Sequence, residues 1–283
     1  MHNRRKRKLG RGWIDYALWE IAAVAGAFLV AGVVKGGIGM GLPTVSMALM
    51  GLWLPVEQAA AILILPVILT NVYQSFFGTA FRLLMRRIWT LMLALIAGTL
   101  AAAALIAEAD TALAAALLGG MLIVYAGLGL SGLRFNVPGR AEPVLNPVIG
   151  LLTGLITGAT AIFVIPSVPY LQSVRWSSGR PGREDDPEDP TRARDEKMEK
   201  DALIQSLGLT ALVATVGLAL GLGSKGALPL GSAIPGIAGT VAGFCGMTAG
   251  AAIRDRLSLA VFRRWVLCAL LALGVLMVVR AVA

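Results

Sequence analysis

The chain has 283 residues, of which 57% are hydrophobic and only 14% charged, with a formal net charge of +9. That balance excludes an ordinary soluble globule, because too little polar side chain is present to cover one. The positive excess is not a nucleic-acid signal: Arg4, Arg5, Lys6, Arg7, Lys8 and Arg11 crowd the start, most other basic residues fall in short loops, and no groove-reading motif accompanies them.

Crossing a bilayer as helix takes about 20 apolar residues. In chain order, residues 1–12 form a basic arm suited to anionic lipid headgroups. The first apolar segment, 17–50, is far longer than the core of a cleavable signal and is expected to be kept as helix. It carries Glu20 near its start, Lys35 inside it, then Gly36, Gly37, Gly39, Gly41 and Pro43, where helical regularity should fail. Segment two, 56–79, bears Thr70, Asn71 and Gln74 near its far end. Segments 88–107 and 111–132 make a helical hairpin, and a linker at 134–143 with Pro138, Gly139 and Pro143 closes the first half. The second half repeats the plan: a broken segment at 144–173, then 202–222, 228–252 and 259–281. The expected fold is all-α, a polytopic membrane protein of about eight transmembrane helices. A four-segment unit with a broken first segment is duplicated, its halves at 13–133 and 144–283.

Laid over each other, the halves put Gly32 on Gly150, Gly36 on Gly154, and the break at Gly37–Gly41 on Leu155–Ala159. Paired apolar segments that lose regularity at matching places point to a transport site near the bilayer midplane. The second half also holds an insertion, 174–199; from Arg175 to Lys200 it has seven basic and eight acidic residues and reads as a solvated loop.

Lys35 is the sharpest candidate for chemistry, a basic side chain deep in an otherwise uncharged stretch, next to glycines that free backbone N–H groups. Its bland alternative is an ammonium that snorkels to an interface. Gly36, Gly37, Gly39 and Gly41 would open the backbone, whereas Gly150, Gly154 and Gly158 also keep the small-residue spacing of close helix packing. Thr153 and Thr157 share a helix face and could donate to one anion; hydroxyl bonding back to the preceding turn competes with that reading. Asn71, Gln74 and Gln205 suit either a ligand or interhelical hydrogen bonds. Glu57 is the one carboxylate with a claim to proton coupling, and its place beside Pro55 favours a simple interfacial position. The candidate substrate-binding set is Lys35, Gly36, Gly37, Gly39, Gly41, Asn71, Thr153, Thr157 and Gly158. An enzyme is not expected, since Ser46, Ser75, Ser167 and Ser206 lack any histidine to activate them and His2 lies in the arm. No metal site, cofactor or disulfide is expected; Cys245 and Cys268 sit in apolar segments and are expected to be small buried hydrophobes.

The stretch Lys35-Gly-Gly-Ile-Gly-Met-Gly-Leu-Pro43 resembles the first glycine-rich motif of the TauE/SafE sulfite exporter family. Gly154-Leu-Ile-Thr-Gly-Ala-Thr-Ala-Ile-Phe-Val-Ile-Pro-Ser-Val-Pro169 is similar to its second motif, with Ala161 where glycine is expected. Arg254-Asp-Arg-Leu-Ser-Leu-Ala-Val-Phe-Arg-Arg264 resembles the charged turn before its last helix. The resemblance implies a bacterial inner-membrane carrier of small anions such as sulfite, thiosulfate or organosulfonates. Its partners are that anion and membrane lipid, without nucleic acid, and homo-oligomerisation stays open. The alternative is a membrane scaffold that recruits a partner through the 174–199 loop. The N-terminus is expected in the cytoplasm by the basic arm. Single crossings by every segment would then put Arg254–Arg264 outside, a conflict that vanishes if a broken segment re-enters or the halves are inverted.

Overall fold

The computed structural model of the chain describes residues 16–76, 80–108, 111–132, 137–176, 192–226, 230–254 and 259–282, and these contain helix and turn but no strand. The α-helices are α1 (Leu18–Ile38), α2 (Leu42–Met50), α3 (Val56–Phe76), α4 (Phe81–Glu108), α5 (Thr111–Ser131), α6 (Glu142–Thr160), α7 (Ser167–Ser173), α8 (Arg192–Ser224), α9 (Ala233–Arg254) and α10 (Leu259–Val282). All but the short α2 and α7 are long and apolar enough to cross a membrane. α8 and α3 are the most enclosed, with 67% and 59% of their apolar windows buried, whereas α10 and α5 bury 22% and 28%. So α3 and α8 form the centre, and α5 and α10 turn most of their surface toward lipid.

Glycine contacts fix the relative directions of four packed helix pairs. A Cβ on Gly150 would lie 2.2 Å from the Leu91 carbonyl oxygen, and one on Gly154 2.2 Å from that of Leu95. The same register continues to Gly158, where it would lie 2.5 Å from the Thr99 oxygen, so α4 and α6 run parallel. Gly32 against Gly243 and Gly36 against Met247 make α1 parallel to α9, and Gly217 and Gly221 against Thr99 and Ala103 make α8 parallel to α4. Gly119 against Gly274 and Gly129 against Leu267 make α5 and α10 antiparallel. These glycines let backbones approach where any side chain would hold them apart.

Short connections complete the path, since a few residues reach only about 3.5 Å each. α3 ends on the face where α4 begins, and α9 ends on the face where α10 begins. We call this the arginine face, because Arg82, Arg86 and Arg87 at the start of α4, Arg140 before α6, and Arg263 and Arg264 at the start of α10 gather there. α1 starts from the opposite, far face, and α2 must return to it because α3 descends from there. α6 starts from the arginine face, and α7 comes back to it: Arg87 of α4 donates to the Arg175 carbonyl just after α7. Each broken element is therefore a hairpin that enters and leaves by one face, and the two enter from opposite faces. Exchanging the halves maps the α1–α9 packing onto α6–α4 and the α3–α9 packing onto α8–α4.

Four expectations change. The second break does not lie at Leu155–Ala159, which is helical; α6 continues to Thr160 and the chain leaves helix at Ala161. The glycines that drew the alignment there pack α6 against α4 instead. The 174–199 segment is not all loop, since α8 begins at Arg192; residues 177–191 of it lie outside the described residues, as does the 1–12 arm. The third segment starts earlier, at Phe81, because the three arginines lengthen α4 past a bend at Ile88. Finally, the start of α1 and the arginines of α4 lie on opposite faces, so the path in which segments one to four each cross once is replaced by the re-entrant one.

Candidate functional site

The first break is made by two glycines. Gly39 ends α1 at φ 87°, its N–H donating to the Lys35 carbonyl at 2.7 Å, and Gly41 begins α2 at φ 104°. Both angles are left-handed, a region that costs other residues about 1–2 kcal/mol. Pro43 occupies the first turn of α2, where a missing N–H removes no helical bond. The second break uses the same device with a different residue. Ala161 ends α6 at φ 57°, donating its N–H to the Thr157 carbonyl at 2.7 Å. Ala161 thus corresponds to Gly39 and Thr157 to Lys35, a spacing of 122 positions in both cases.

The two breaks meet between α3 and α8 around a small cavity of about 30 Å³, the room of a single water molecule. Lys35, Gly39, Met40, Gly41 and Pro43 form one wall, Phe163, Val164, Ser167 and Val168 the opposite one. Asn71 and Gln74 of α3 and Leu207, Thr210 and Ala211 of α8 close the sides. Residues 207–211 stand at the middle of the apolar span Lys197–Ser224 of α8, which sets the cavity near the middle of the bundle's thickness. Both short helices start at its edge, α2 at Gly41–Leu42 and α7 at Ser167. The first N–H groups of α2 carry partial positive charge, whereas at α7 the Val168 N–H is taken by the Val164 carbonyl at 3.0 Å and Pro169 has none.

Among the described residues, Lys35 is the one basic side chain that lines the cavity. It is 4% exposed, and its Nζ donates to Asn71 Oδ1 at 2.8 Å and to Thr70 Oγ1 at 3.3 Å. Asn71 is held for that purpose, its own Nδ2 donating to the Val67 carbonyl at 2.8 Å so that Oδ1 faces the ammonium. No carboxylate pairs with Lys35 among the described residues, and the third N–H of the ammonium has no protein acceptor there. A buried cation with only neutral partners is expensive in a membrane interior and is stabilised by a counter-charge. Two glutamines brace the frame: Gln74 Nε2 donates to the Ile204 carbonyl at 2.7 Å, and Gln205 Nε2 to that of Ser75 at 2.6 Å.

Of the sequence candidates, Lys35, Gly39, Gly41 and Asn71 line the cavity. The others stand elsewhere. A Cβ on Gly36 would meet the Met247 carbonyl oxygen at 2.1 Å, one on Gly37 the Phe262 ring at 2.7 Å, and one on Gly158 the Thr99 oxygen at 2.5 Å, all packing positions. Thr157 Oγ1 donates back to the Thr153 carbonyl at 2.7 Å, and the buried Thr153 Oγ1 has no partner among the described residues. Neither threonine borders the cavity. Phe163 and Ser167 lie within the second motif but were not singled out as site residues, and Thr210, in an apolar run, carried no sequence signal. Glu57 lies at the first turn of α3, away from the cavity; both cysteines, expected to be buried, are instead exposed, on outward faces of α9 and α10.

A separate polar cluster secures the second hairpin at the arginine face. Arg87 makes a two-pronged pair with Glu142, Nε to Oε2 and Nη2 to Oε1 each at 2.6 Å, and lies over the Trp176 ring at 5.4 Å. Tyr170 donates to Asn146 Oδ1 at 2.6 Å, and Asn146 Nδ2 donates to the Arg87 carbonyl at 2.7 Å.

An all-helical membrane protein with two opposed broken hairpins that meet at a buried cation has the build of a carrier. The family model described as Sulfite exporter TauE/SafE matches residues 24–178, more than half of the chain and including both breaks, and the chain belongs to that family. It is accordingly a multi-pass membrane transporter. Neither a curated protein nor a solved structure matches it.

Proposed function

We propose that the protein carries small sulfur-containing oxyanions, sulfite, thiosulfate or organosulfonates, out of a bacterial cell through the cavity at Lys35. The observation that carries this is the unpaired ammonium. It is buried, aimed by Asn71 and Thr70, and among the described residues is the one charged side chain lining the cavity, which the start of α2 also borders. The cavity is one water in size as it stands, and an anion would enter as the hairpins part; Gly39 and Gly41 give the first hairpin the backbone freedom to do so. The doubling of the hairpin plan, inverted between halves, supports an origin by duplication and an alternating motion of one half against the other.

The arginine face is proposed as cytoplasmic, because it collects Arg82, Arg86, Arg87, Arg140, Arg263 and Arg264 while the turns at the far face bear few basic residues. That reverses the side expected for the N-terminus from its arm, and reporter fusions at the two ends of α10 decide between them. The substrate test is flux in liposomes. Purified protein should accelerate movement of sulfite, thiosulfate or a short sulfonate over empty vesicles, and transport of none of these removes the substrate class.

A further inference from the structure

A second, larger hollow of about 450 Å³ lies beside the central cavity. Its lining comes from the end of α5 (Tyr125, Gly129, Gly132), from α7 (Gln172) and from Arg263 at the start of α10. These elements terminate at the arginine face, and Gly132, Gln172 and Arg263 are exposed, so the hollow opens to water there. Arg263 has no carboxylate partner among the described residues, and the Tyr125 phenol shares its hollow. On the inner side, Met40 and Val168 line both this hollow and the central cavity. A third, smaller hollow between α1, α2 and α10 is also lined by Met40, Tyr125 and Arg263, so Met40 belongs to all three. Met40 stands between the left-handed glycines Gly39 and Gly41.

From this arrangement we propose that the large hollow is an anion vestibule, that Arg263 and Tyr125 form a second binding station for a small oxyanion there, and that Met40 is the plug between it and Lys35. The vestibule has room for a hydrated oxyanion, since a water molecule takes about 30 Å³. A guanidinium at its rim raises the local concentration of anions and excludes cations. Methionine suits the plug, being unbranched, with three rotatable bonds and a polarizable sulfur that repacks at small cost. Its two glycine neighbours let the backbone swing without passing through a forbidden region. Val168 opposite is stiffer and sits on the hairpin that Arg87 secures, so the first hairpin supplies the moving side. The gate assignment rests on the central cavity being a carrier's binding site; the vestibule station rests on its own lining.

The test is thiol labelling rather than flux, so that it remains readable whatever the protein transports. In a variant with Cys245 and Cys268 replaced by alanine, Met40→Cys is exposed in membrane vesicles of known orientation to two small methanethiosulfonates, one bearing a sulfonate and one an ammonium. The expected result is reaction from the arginine face and none from the far face, with the sulfonate reagent faster. Adding Arg263→Gln should lower the ratio of sulfonate to ammonium rates by about tenfold, the order expected for removing one nearby charge. Equal ratios with and without Arg263 overturn the station, and labelling from the far face overturns the vestibule. If Met40→Cys does not fold, as read by size exclusion in detergent, Val168→Cys on the opposite wall takes its place with the same expected outcomes. Met40→Ala in liposomes should raise the leak of a small oxyanion, and an unchanged leak overturns the plug alone.

Discussion

The two breaks use one backbone device for different ends. In both, a left-handed residue ends a long helix by donating its N–H to the carbonyl four positions back. At the first break the capped residue is Lys35 and the cap is Gly39, with a second left-handed glycine, Gly41, just beyond Met40. At the second the capped residue is Thr157, whose hydroxyl is spent on its own helix, and the cap is Ala161, followed by buried Ile162, Phe163, Val164 and Ile165. The first break thus holds the charge and the freedom, while the second is a packed wall anchored through Tyr170, Asn146 and Arg87. Matching architecture does not require matching chemistry, and in a carrier an uneven division leaves one charged centre instead of two that repel.

The strongest way to break this contrast is to remove the charge. Lys35→Ala should lower transport on the order of 100-fold, the scale of losing a charged hydrogen bond of about 1.5–3 kcal/mol, while Thr157→Val at the matching position should stay within about threefold, less than 1 kcal/mol. Equal losses in liposome flux would show that the breaks contribute alike. Next in size is packing. Gly154→Leu would drive a side chain into the Leu95 backbone and should lower the melting temperature in detergent, a loss of at least about 1–3 kcal/mol. Gly39→Ala meets no atom within 4 Å and loses only the left-handed preference, about 1–2 kcal/mol. A third comparison sets Gly41→Ala against Ala161→Gly. The first should destabilise by about 1–2 kcal/mol; the second should be near neutral, because relief of the left-handed cost offsets a gain of about 0.4–1 kcal/mol in unfolded-chain entropy. The smallest expected effect is on the insertion: replacing residues 180–190 by a short Gly-Ser linker should leave flux unchanged, whereas a scaffold would lose its captured partner.

Much of the fold was legible because a bilayer imposes it. Length and apolarity alone located the helices that can cross, and Lys35 stood out since a cation in such a stretch needs a reason. The second break was misplaced because Gly150, Gly154 and Gly158 carry the same signature whether a helix opens or packs closely, and the chain in fact turns at Ala161, where no glycine marks it. Gly36 and Gly37 were read as part of the opening, and only their neighbours Met247 and Phe262 reveal contact instead. The α7 wall lay in the second motif without being recognised as a lining, and the α8 wall could not be read at all, because which face of a uniformly apolar helix turns inward is decided by its partners. The opposed entry of the hairpins was also hidden, since direction follows from parallel packing between helices far apart in sequence.

The grip of Arg87 has a consequence for how the protein comes apart. One guanidinium holds the start of α6 through Glu142, the exit of α7 through the Arg175 carbonyl and the Trp176 ring, and its own backbone holds Asn146. Strands of chain separated by dozens of residues are knotted to a single side chain. Severing it should loosen them in concert, so amide exchange at the three places would quicken as one event and not as three.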